Sequence, residues 1–344
     1  MIITENFPLP LQERGARSAG APAIDGDSIL VLADWPASFW LKLDVSTRIV
    51  KGTLEGKLHL PARSNGRLFL FEPGFPGRGS ADLEKSHVKH LTEAGYTVFA
   101  PRHNGMLLTG KHSDFYISCP ERQAKAGQEG QVVLGDGPYT ELDKWLLEPL
   151  IAIEALSACF EETVLLGHSF GGLAVMYSAV KYFAESPGHN IKRLISMAGA
   201  TGRIRSDSDR IVEMWTEYID TEYIRERVSI GKAEDNLRHL RHAYGLIHEK
   251  IKVLPDQVEL LCLHPWGDSH DSIDELIGVN EPLELILSLG RGTLVVDKTQ
   301  KAEPSLEQLA HDMCGLSSAA LLKLLDTTWK SDKQILQLDN SGIH

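Results

Sequence analysis

The sequence predicts an α/β fold, a mostly parallel sheet with helices on both faces. Three observations predict it. From residue 67 onward, short apolar runs alternate with longer segments of helical period. The first of these runs, Leu68-Phe69-Leu70-Phe71, is apolar on both faces of a strand, as a sheet covered on both sides requires. The chain has 344 residues, 42% apolar and 24% charged, which is ordinary globular usage with ample material for one large core.

The elements follow in order. Residues 1–27 are rich in Pro and Gly and read as an irregular lead-in, with short strands at 28–32 and 39–45. Residues 53–60 alternate, with Leu54, Gly56, Leu58 and Leu60 on one face, the pattern of a half-buried strand. Asn65-Gly66 marks a turn before the strand at 67–72. Ser80-Ala81-Asp82 caps a helix that runs to Ala94, with Leu83, His87 and Leu91 on one face and Gly95 as its stop. A strand at 96–100, a long loop over 102–138 and a helix over 141–160, kinked at Pro149, come next. Strands at 163–167 and 192–197 flank a helix at 171–185. The alternation then breaks: residues 203–252 are strongly polar and helical, and read as a cap or lid inserted over the C-terminal edge of the sheet. Strands resume at 258–264 and 292–296, a helix starts at about Ser305, and the last strand is 334–338. The expected organisation is therefore a lead-in with first strands (1–52), a core (53–202 and 253–344) and a helical cap (203–252).

Charge narrows the partners. A formal net charge of −12 opposes long-range attraction to nucleic acid or anionic lipid, so neither is expected as a partner. No apolar stretch approaches the roughly 20 residues that span a bilayer, and the N-terminus has no basic region before an apolar run. Four scattered cysteines without a C-x-x-C pair fit reduced, buried thiols, and a cytoplasmic location is the expectation.

The chemistry centres on Gly167-His168-Ser169-Phe170-Gly171. An exposed serine on a tight strand-to-helix turn needs small residues two positions to either side, because larger ones collide with the neighbouring strand and helix. Gly167 and Gly171 meet that need, an apolar strand precedes them and a small-residue helix follows. At a helix N-terminus, backbone N–H groups favour a developing negative charge, and the N–H of Phe170 is one candidate donor.

On these residues the chain resembles the α/β-hydrolase superfamily, over most of 53–344. The resemblance implies a mostly parallel sheet of about eight strands and a Ser–acid–His triad in that chain order, chemistry that needs no cofactor and no metal. Glu72-Pro73-Gly74-Phe75-Pro76-Gly77 resembles the family's H-G-x-x-G oxyanion turn, with Pro73 in the usual His place; Gly74 lets the backbone approach and the N–H of Phe75 is the second donor. His264-Pro265-Trp266-Gly267-Asp268 resembles the strand end that carries the acid, which gives Asp268, with Asp271 and Asp297 as competitors. The family sets its histidine just after the final strand, which gives His344 as base, with His311 as the alternative. His168 is expected to point away from Ser169 and to be structural, and His103 to line the pocket or to pack in the core or at the surface.

Together these imply hydrolysis of a carboxylic ester or thioester of a small or medium acyl group, through an acyl-enzyme on Ser169. Acyl transfer and amide cleavage stay open. So do two other classes: a non-catalytic ligand-binding member of the same fold, and a metal-dependent hydrolase built on His264, Asp268, His270 and Asp271. The lid aromatics Trp215, Tyr218, Tyr223 and Tyr244 could line an acyl pocket or pack the lid onto the body.

Overall fold

The computed structural model describes residues 2–3, 37–77, 84–109, 131–135, 139–185, 190–265, 280–298, 311, 313, 316–329, 332–339 and 342–343. Strands β1 (Ile2–Ile3), β2 (Ala37–Ser46), β3 (Lys51–Leu60) and β4 (Arg67–Glu72) open it. A wide turn over 84–88 leads into helix α1 (Lys89–Glu93), then come β5 (Thr97–Arg102), β6 (Leu107–Thr109) and β7 (Gln131–Val133). Helix α2 (Leu142–Leu156), β8 (Glu162–His168), α3 (Phe170–Glu185) and β9 (Ile191–Met197) follow. Three helices, α4 (Arg210–Ile219), α5 (Glu222–Arg225) and α6 (Ala233–Lys250), precede β10 (Glu259–Pro265). The chain closes with α7 (Asn280–Leu289), β11 (Gly292–Asp297), α8 (Ser318–Asp326), β12 (Lys333–Asp339) and β13 (Gly342–Ile343).

Among the described residues the main sheet has eleven strands in the order β1-β2-β3-β5-β4-β8-β9-β10-β11-β12-β13. It is parallel from β5 through β12, with antiparallel pairs at both ends. The run from β2 to β11 supplies the eight strands expected; β1 extends one edge, and β12 and β13 extend the other. Strand β12 was anticipated, but it adds a parallel strand beyond the eight, and its alternately exposed residues, with Ile335 60% exposed, are those of a peripheral strand.

Side-chain alternation along the central strands divides the core in two. Leu68 and Leu70 of β4 join a core with α2, α3, α4 and α6, whereas Phe69 and Phe71 join the core on the opposite face with α1 and α8. All four residues are buried, as a strand covered on both faces demands. Where 102–138 reads as loop, β6 and β7 pair as a small antiparallel ribbon. Within 271–325, helix α7 was not anticipated. The strand expected at 28–32 and the helix start at Ser305 lie outside the described residues; the helix described downstream, α8, is capped by Ser317 Oγ, which accepts from Ala320 N at 3.1 Å.

What positions the site is the order around β4. The chain runs from β4 to β5 on one side and crosses back to β8 on the other. At such a reversal the connections diverge and leave a crevice beyond the C-terminal ends of the two strands. The segments that begin at Pro73 and Ser169 both enter that crevice. This topology, together with the strand–turn–helix at Ser169, is that of the α/β-hydrolase fold.

Candidate active site

Ser169 stands between β8 and α3 with φ 54°, in the left-handed region that side chains rarely adopt. Three backbone hydrogen bonds hold it there: its N–H donates to Met197 O (3.0 Å), and its carbonyl accepts from Gly172 N (2.9 Å) and Ala200 N (3.0 Å). The flanking glycines are obligatory. A Cβ on Gly167 would lie 2.0 Å from Gly171 O, and one on Gly171 would lie 2.1 Å from Glu72 O. The steric reason for this spacing is therefore met on both sides of the turn.

An imidazole reaches the serine: His311 Nε2 lies 2.9 Å from Ser169 Oγ. The ring of His168, expected to be structural, lies 5.2 Å from that of His311. Its Nε2–H donates to the backbone carbonyl of His311 at 2.7 Å, which ties the two histidines together. His344 lies outside the described residues; its neighbour Ile343 pairs with Leu338 at the far edge of the sheet. The histidine set against Ser169 thus follows β11 rather than β12. The expectation for His344 arose from taking the last strand in the chain as the one that precedes the histidine, and here the sheet continues past that point.

Gly74 packs directly against Ser169, since a Cβ there would lie 2.9 Å from Ser169 Cβ. The next residue, Phe75, is joined to Pro76 by a cis peptide bond, and its ring lies 5.2 Å from Trp145, 6.4 Å from Phe170, 5.8 Å from Trp215 and 5.7 Å from Tyr218. Phe170 is fully buried as the first residue of α3, where backbone N–H groups lack intrahelical acceptors. Helix α4 therefore lies over both Phe75 and Phe170 through Trp215 and Tyr218. The other two lid aromatics behave differently: Tyr244 is buried and accepts from Trp215 Nε1 at 3.2 Å, and Tyr223 is at the surface.

Of the acid candidates, Asp268 and Asp271 lie outside the described residues, just past β10 in the chain. Asp297 is fully buried at the end of β11, paired in register with Pro265. His270 is likewise outside the described residues, so that of the suggested metal-ligating group only His264, buried at the end of β10, is described. Cys262, in the middle of β10, is fully buried, and burial pushes its thiol up to about 12, so it is inert packing.

Sequence reasoning missed a second polar group behind Gly74. Glu72, His103 and Glu148 are all buried, with His103 Nδ1 2.5 Å from Glu148 Oε2 and 3.5 Å from Glu72 Oε1. Burial, and then the neighbouring Glu148, push the Glu72 carboxyl well above the usual carboxylate range. The signal for this group was in the sequence: Glu148 is a charged residue three positions from Trp145 on an otherwise apolar helix face.

No protein-family model matches the chain, and no curated protein matches it. Among solved structures it is similar to Est1E from Butyrivibrio proteoclasticus (14% identity, TM-score 0.45, covering 84% of this chain and 99% of that one). It is also similar to a thioesterase domain from the curacin biosynthetic pathway (15%, 0.47, 85% and 100%) and to the peroxisomal α/β-hydrolase Lpx1 from Saccharomyces cerevisiae (12%, 0.46, 86% and 91%). Strand order and the turn at Ser169 define the fold.

Proposed function

We propose that this protein is a serine hydrolase that cleaves a carboxylic ester or thioester through an acyl-enzyme on Ser169. The observation that carries the proposal is the pair formed by Ser169 Oγ and His311 Nε2, 2.9 Å apart, at a residue held at φ 54°. A serine is a poor nucleophile until a base within hydrogen-bond reach takes its proton, and this distance is within that reach. In the proposed reaction neutral His311 accepts the Ser169 proton and the alkoxide attacks the acyl carbon. The oxyanion is held by the N–H groups of Phe75 and Phe170, and His311 returns the proton to the leaving group. Water then repeats the sequence on the acyl-enzyme. Asp268 is proposed as the acid that orients His311, since it follows β10 as His311 follows β11. Chemistry of this kind needs no cofactor. The rings of Phe75, Phe170, Trp215 and Tyr218 favour an apolar acyl group of small or medium size.

The test is turnover of p-nitrophenyl esters of graded chain length. Ser169→Ala is expected to abolish it, and His311→Ala to lower kcat by about 10³-fold or more. His344→Ala is expected to stay within about threefold of the wild type, since the base proposed is His311. Full turnover by His311→Ala removes His311 from the mechanism.

A further inference from the structure

Behind the turn that would hold the oxyanion stands a buried polar group that the reaction above does not use. His103 is fully buried, its ring stacked on Trp145 with centroids 3.8 Å apart and planes 9° from parallel. Both of its nitrogens meet acceptors: Nδ1 lies 2.5 Å from Glu148 Oε2, and Nε2 lies 3.2 Å from the carbonyl oxygen of Pro73. Glu148 is itself fixed, because its other oxygen accepts from Asn104 N at 2.8 Å and Asn104 Nδ2 at 2.9 Å. Since a carbonyl cannot donate, the Nε2–H of His103 must donate to Pro73 O.

That bond falls where it matters. Pro73 is the residue before Gly74, which packs on Ser169, and Phe75 after it carries the N–H proposed as the second oxyanion donor. The ring also touches the far end of the same turn: a Cβ on Gly77 would lie 3.1 Å from His103 Cδ2. From the other side the turn is backed by α3, since a Cβ on Gly171 would lie 2.7 Å from Pro73 O. The segment from Pro73 to Gly77 is thus clamped between the helix that carries the nucleophile and the His103 ring.

We propose that His103, held by Glu148, is a positioning residue that fixes the oxyanion turn by donating to the carbonyl of Pro73. The inference rests on the serine-hydrolase reading. The donor supplied to Pro73 is the essential element, and the charge of Glu148 is not. A donor displaced by about 1 Å loses its value to an oxyanion while substrate binding is little changed, so the effect belongs in kcat rather than KM.

The experiment compares three variants with the wild type on a p-nitrophenyl ester, with Ser169→Ala as the background. His103→Phe keeps the stack on Trp145 and removes the donor; kcat is expected to fall about 30- to 100-fold with KM within about threefold. Glu148→Gln keeps the side-chain shape and lets the Gln amide donate to Nδ1, so His103 keeps its Nε2–H for Pro73; kcat is expected within about threefold of the wild type. Should His103→Phe fail to fold because Glu148 is left unpaired, the double variant H103F/E148Q removes that buried carboxylate and carries the same expected loss. A folded H103F or H103F/E148Q with wild-type kcat overturns the inference, as does an equal loss of kcat in E148Q. If the wild type itself is no faster than Ser169→Ala, the hydrolase reading fails and the inference falls with it. A wild type that turns over beside an undiminished H103F overturns the inference alone.

Discussion

Ser169 is held in a backbone conformation that costs on the order of 1–3 kcal/mol, and the surrounding contacts leave it no alternative. The strictest of these contacts is steric. Gly171→Ala would press a methyl onto the carbonyl of Glu72, a backbone atom of a central strand. This substitution is expected to cost about 4 kcal/mol or more, or to prevent folding, which a urea denaturation midpoint measures. The need for glycine at 167 and 171 was legible in the sequence because it follows from the geometry of one local turn. The partner of Ser169 was less legible. His311 and Ser169 are separated by 142 positions, and nothing local in Leu309-Ala310-His311-Asp312 distinguishes a base from a surface histidine. The second histidine of the site, His168, acts through a bond to a backbone carbonyl, which no residue pattern records. His168→Ala is therefore expected to lower kcat about tenfold by loosening the His311 segment, with KM little changed, and steady-state kinetics on the same ester checks it.

At the scale of elements, the polar segment at 203–252 resolves into helices with different tasks. Helix α6 packs into the core through Leu240, Ala243, Tyr244 and Ile247, while α4 carries Trp215 and Tyr218 over the rings of Phe75 and Phe170. The polarity of α6 was legible, but its buried stripe is narrow, and its extent shows only against α2 and α3. Trp215 is 4% exposed, so Trp215→Ala is expected to cost about 3 kcal/mol in stability and to raise KM for the longer esters more than for the acetate. Denaturation and the chain-length panel measure the two effects. The segment that leads into α4 depends on a half-buried acid. Glu281 of α7 accepts from Gly202 N at 3.0 Å, and burial pushes its carboxyl up to about 8. The folded state thus favours the protonated carboxyl more than the unfolded chain does. That contribution is fully present below the unfolded value near 4.5 and is lost as pH rises through about 8. The wild-type Tm is expected to fall between pH 6 and 9 relative to Glu281→Gln, whose amide cannot ionise; parallel slopes for the two would count against this assignment.

For the whole molecule, the feature that makes a site is the reversal of strand order at β4. It brings the end of β4, with Gly74 and Phe75, beside the end of β8, with Ser169. The alternation of strands and helices and the doubly covered apolar strands were enough to predict this sheet, because they are periodic signals. The edge strands β1 and β13 were not legible, since they are two residues long and carry no period. The histidine set against Ser169 follows β11, whereas the expected His344 follows β12 and lies outside the described residues. Covalent labelling tests whether this sheet presents an activated serine. A fluorophosphonate probe followed by intact-mass and peptide analysis is expected to add one adduct, on Ser169. Labelling should be absent in Ser169→Ala and at least about 100-fold slower in His311→Ala. A folded wild-type protein that takes no label, or takes it at another serine, contradicts the account.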